Sequence, residues 1–154
     1  MIAVQQSNQI DLARLLDELE GLSGNKDTVR AMLTTSTKGV LAWVREQTDQ
    51  PGRTVIVCSS VLYDGVYKRT TEPLPLRLFV DAIKRINPEA WVFVYTNLPF
   101  ERIIRDADVE GIIHKWPDRH FKGIIEFLQL PFDEMTIEDT RKKMRQMSGT
   151  GTLR

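Results

Sequence analysis

A single cysteine, Cys58, is present, so no disulfide can form within the chain, which fits a reducing compartment. Charge of either sign is not in excess: 21 Lys and Arg face 21 Asp and Glu. That balance removes any whole-molecule attraction to nucleic acid or anionic lipid. No apolar run approaches the roughly 18 residues that a membrane span needs. The first residues, Met1 to Gln6, carry no charged side chain and run straight into the polar stretch Gln5 to Asp11, which does not read as a signal peptide. A cytoplasmic protein is expected. Glycine-rich nucleotide loops are missing, and so is the Gly-x-Ser-x-Gly elbow of hydrolases. His114 and His120 are the only histidines, and no cysteine or acidic pair stands at metal-ligand spacing from them. No metal and no cofactor are expected.

What is present suits one globular domain. At 154 residues, 42% hydrophobic and 27% charged, the chain needs no disulfide or structural metal to hold a core. Two periodicities alternate along it. Ile2-Ala3-Val4 reads as a first strand, and Asp11 to Leu22 as a helix with apolar residues at Leu12, Leu15, Leu16, Leu19 and Leu22, capped by Asn8 or Asp11. Thr28 to Thr34 reads as a strand, and Thr37 to Gln47 as a helix. Val55 to Cys58, β-branched and uncharged, is the clearest buried strand.

The same alternation continues. Leu74 to Ile86 reads as a helix, Trp91 to Tyr95 as a strand, and Leu98 to Ala107 as a helix carrying Phe100, Ile103 and Ile104, with Asn97 as cap. Gly111 to His114 is a fifth strand, and Arg119 to Leu128 a final helix capped by Asp118. Strands alternating with helices of this length pair in parallel through right-handed crossovers, giving a doubly wound α/β sheet. After Pro131 the composition shifts. Phe132 to Met147 is polar, with a capping-box start at Thr136 and only Ile137, Met144 and Met147 as sparse apolar positions. Residues 131–154 are expected to be a helical and flexible tail beside a domain of residues 1–130.

Thr54-Val-Ile-Val-Cys-Ser59, Val92-Phe-Val-Tyr-Thr96 and Val109-Glu-Gly-Ile-Ile-His-Lys115-Trp-Pro117 resemble the strand ends of the receiver domain of bacterial response regulators. The resemblance implies a flavodoxin-like, five-stranded parallel sheet ordered 2-1-3-4-5 and a place in two-component signal transduction. It also implies which positions should carry chemistry. A receiver holds Mg²⁺ on three carboxylates, phosphorylates one of them, and grips phosphoryl oxygens with a hydroxyl and a lysine. Here the segment after the first strand is Gln5-Gln6-Ser7-Asn8, and the acceptor position falls on Ser59, or on Ser60 one residue later. Thr96 and Lys115 keep their family types, and Trp116 separates Lys115 from Pro117. No anion is expected in this cradle, and no Mg²⁺.

The resemblance therefore implies a pseudo-receiver: a non-enzymatic regulatory module acting by protein–protein contact or homodimerisation. The face of helix four, strand five and helix five, with Arg102, Arg105, Trp116, Arg119 and Lys122, is the expected interface. Two other readings stay open. One is a small-molecule, phosphate-binding or catalytic pocket built on Ser59, Ser60, Thr96 and Lys115, since ligands gather at the carboxyl ends of such strands. The other is a DNA-binding tail using Arg141, Lys142, Lys143 and Arg145, offset by Asp133, Glu134, Glu138 and Asp139. Asp64-Gly65 reads as a turn, and Cys58 as a buried, inert thiol.

Overall fold

The computed structural model describes residues 2–7, 9–21, 31–62, 74–115 and 121–147. The elements are β1 (Ile2–Gln5), α1 (Gln9–Gly21), β2 (Ala31–Thr34), α2 (Thr37–Gln47), β3 (Val55–Ser59), α3 (Leu76–Ile86), β4 (Trp91–Thr96), α4 (Phe100–Asp106), β5 (Gly111–His114), α5 (Lys122–Leu128) and α6 (Ile137–Gln146), with a 3₁₀ turn at Phe132–Glu134 before α6. The strands form one sheet ordered β2-β1-β3-β4-β5, and every neighbouring pair is parallel. This is the doubly wound architecture that the alternating pattern predicts. Residues of β1, β3 and β4 are buried almost without exception, as strands covered by helices on both faces must be.

Several boundaries differ from the expected ones, each for a local reason. The helix expected from Leu74 starts at Leu76, because Leu74 is held in an antiparallel bridge to Leu62. The helix expected from Leu98 starts at Phe100 behind Pro99, not behind Asn97. A residue preceding proline is pushed out of the helical region, and Leu98 is that residue. The last sheet-packing helix starts at Lys122, because Phe121 takes a left-handed conformation with φ of 52°. Residues 28–30 of the second strand, Leu22, Asn8 and Asp118 lie outside the described residues. Of the apolar residues at helical spacing, Leu16 and Ile104 are exposed. Each sits one step round its helix from a neighbour, Leu15 or Ile103, that fills the core position.

The core runs through the sheet and continues into the C-terminal segment. Trp91, Phe93 and Tyr95 share one face of β4, as their spacing predicts. Phe93 meets Phe127 of α5 edge-on at 4.7 Å, and Phe127 meets Phe132 at 5.0 Å. The sparse apolar positions of α6 do more than their number suggests: Met144 and Thr140 are fully buried. Arg141 Nε donates to the carbonyl of Glu110 at 2.7 Å, just before β5. The Glu110 carboxylate accepts from Val92 N and pairs with Lys84. Arg53 lies 3.6 Å over the Trp91 ring, donates from Nε to the Phe132 carbonyl, and from its backbone N–H to Asp133. The preceding Gly52 has φ of 100°, and a Cβ there would stand 3.1 Å from the Asp133 carboxylate. Residues 132–147 thus lie under the amino ends of β3, β4 and β5.

Candidate functional site at the carboxyl edge of the sheet

The opposite edge gathers the polar residues. Ser59 ends β3, Thr96 ends β4, and Gln5 ends β1. Parallel register aligns Ser59 with Tyr95 and Thr96 with His114, which sets Ser60 level with Thr96. Their hydroxyls meet at 3.1 Å. Of the two serines offered for the acceptor position, Ser60 is therefore the one beside Thr96. Ser59 turns the other way, and its Oγ accepts the Ser7 backbone N–H at 3.1 Å.

Gln5 is the hub of this edge. Its side chain is fully buried. Oε1 accepts from Ser59 N at 3.2 Å, while Nε2 donates to Ser7 Oγ at 3.2 Å and to the Thr35 carbonyl at 3.3 Å. One neutral amide so ties together the ends of β1, β2 and β3. A carboxylate could accept but not donate, and would leave the Thr35 carbonyl facing an anion. Ser7 Oγ continues the chain by donating to the Val61 carbonyl at 2.6 Å. Gln6, also buried, donates from Nε2 to the Gln5 carbonyl. Thr96 Oγ1 accepts from Leu98 N.

Lys115 brings a correction. The edge does carry an anion: Asp11, expected as a cap or nothing more, lies in the first turn of α1 and its Oδ2 is 3.0 Å from Lys115 Nζ. The Lys115 side chain is 37% exposed and that of Asp11 18%, so the pair is half-shielded from water. Lys115 Nζ also stands 5.7 Å from the Tyr95 ring centroid. Among the described residues, no group of three His, Cys, Asp or Glu could hold a metal ion.

The other predicted residues are dispersed. Arg102 and Arg105 are exposed on α4, and Lys122 is exposed at the start of α5, 3.9 Å from Glu126. Trp116, Arg119, His120 and Asp64-Gly65 lie outside the described residues. His114 is half-buried at the end of β5. Cys58 is fully buried, and burial pushes its thiol up to about 12, which leaves no nucleophilic thiolate near neutral pH. Sequence reasoning missed Asp11, Ser7 and Thr35. The one signal for Asp11 was its place a turn beyond the carboxyl end of β1, where this fold collects polar side chains.

The sequence matches no family model and none of the curated proteins. The fold, in contrast, is similar to solved receivers. The RcsB response regulator of Salmonella typhimurium, solved in a study of conformational dynamism for DNA interaction, gives a TM-score of 0.53 at 14% identity, over 94% of this chain and 64% of that one. This chain therefore spans less than two thirds of that protein's length. The signal receiver domain of an HD domain-containing protein from Pseudomonas fluorescens Pf-5 gives 0.52 at 12% identity, covering 95% and 92%. The isolated REC domain of RcsB from Salmonella enterica serovar Typhimurium, solved with the phosphomimetic BeF3⁻, gives 0.51 at 16% identity, covering 93% and 96%. The fold of this chain is that of receiver domains.

Proposed function

We propose that this chain is a phosphorylation-independent, receiver-like regulatory module that works by binding another protein or a second copy of itself. The observation that carries this reading is the buried Gln5 amide. It occupies the carboxyl edge with a neutral, mutually bonded network at the place where a phosphorylatable receiver needs carboxylates. The two remaining family residues are already engaged. Thr96 is bonded to Ser60 and Leu98, and Lys115 to Asp11. Among the described residues the edge carries one carboxylate, and one that already neutralises a lysine is a poor Mg²⁺ site, because Mg²⁺ gives up its water reluctantly. Among the described residues, Ser60 beside Thr96 has no general base as a hydrogen-bond partner, and a serine hydroxyl without one is a weak nucleophile.

The pocket reading is weaker on the same ground, since its hydroxyls and its lysine have partners inside the protein. The DNA-tail reading loses Arg141, whose guanidinium donates to Glu110. No described helix is long and apolar enough to cross a membrane. Arg102 and Arg105 on α4 and Lys122 on α5 are exposed, which supports this side as the one that meets a protein partner.

The test is incubation with acetyl phosphate and Mg²⁺, and separately with beryllofluoride and Mg²⁺. The expected result is an unchanged intact mass and an unchanged thermal midpoint. A phosphoryl adduct, or stabilisation by beryllofluoride that requires Mg²⁺, overturns the proposal.

A further inference from the structure

We draw no further inference here: the strongest candidate, the apolar strip that half-buried Leu12 and Leu19 and exposed Leu16 of α1 form beside the edge strand β2, is an unpartnered face, and nothing in the structure shows what covers it.

Discussion

The Gln5 hub makes a sharp prediction, because a single-atom change alters its hydrogen-bonding capacity without altering its shape. Gln5→Glu exchanges an NH₂ for an oxygen at a fully buried position. The acceptor to Ser59 N survives. The donors to Ser7 Oγ at 3.2 Å and to the Thr35 carbonyl at 3.3 Å do not, and a carboxylate oxygen would then face a carbonyl oxygen. Losing two buried donors costs about 1–3 kcal/mol, and burying an uncompensated charge brings the total to about 3–5 kcal/mol at neutral pH. In urea, with a slope of roughly 2 kcal/mol per molar, the midpoint should fall by about 1.5–2.5 M. The loss should depend on pH. Desolvation raises the new carboxyl in the folded state above its unfolded value, so the folded protein holds the proton longer. The destabilisation relative to wild type is therefore smallest below about pH 4, where the carboxyl is mostly protonated in both states and can still donate one hydrogen bond, and it grows as pH rises from the unfolded value to the folded one. A loss under about 1 kcal/mol that is flat from pH 4.5 to 8 would refute the reasoning. Recovery of stability on adding Mg²⁺ would also refute it, because it would show a latent metal cradle.

Two further predictions concern other parts of the fold. Cys58 should lower stability in alkali: its thiol stays protonated when folded up to about 12 but ionises near 9.0 when unfolded. Stability from this source is complete below pH 9 and falls by up to about 1.4 kcal/mol per pH unit above it, so Cys58→Ala should flatten the urea-midpoint profile between pH 9 and 10.5. Met144→Ala should cost about 2–4 kcal/mol, as for any fully buried methionine, and a cost below 1 kcal/mol in urea denaturation would show that α6 is not part of the core.

The architecture was readable in the sequence because it rests on period. Val55–Cys58 and Trp91–Tyr95 are apolar on both faces, and only a helix-covered parallel sheet accommodates such runs. Helix starts were less readable where a residue overrode the pattern, as Pro99 does for α4 and the left-handed Phe121 for α5. The site was half legible. The resemblance marked Gln5, Gln6, Ser59, Thr96 and Lys115, and all five stand at the carboxyl edge. It could not show that Asp11 would reach Lys115 across 104 residues of sequence, nor that Ser60 rather than Ser59 would face Thr96, since one residue of register decides that. Met144 was undervalued because α6 is so polar that its apolar positions gave little periodic signal. Its burial depends on the underside of the sheet, which no local window contains.

That underside has a practical consequence for anyone trimming the protein after its last sheet-packing helix. A shortened chain ending near Leu130 would lose Phe132, Thr140 and Met144 together, stripping one side of the Phe127 ring and removing the Phe132 carbonyl and Asp133 carboxylate that hold Arg53 over Trp91. The fragment would keep all five strands yet present a sticky aromatic sole, prone to aggregate for reasons unrelated to signalling.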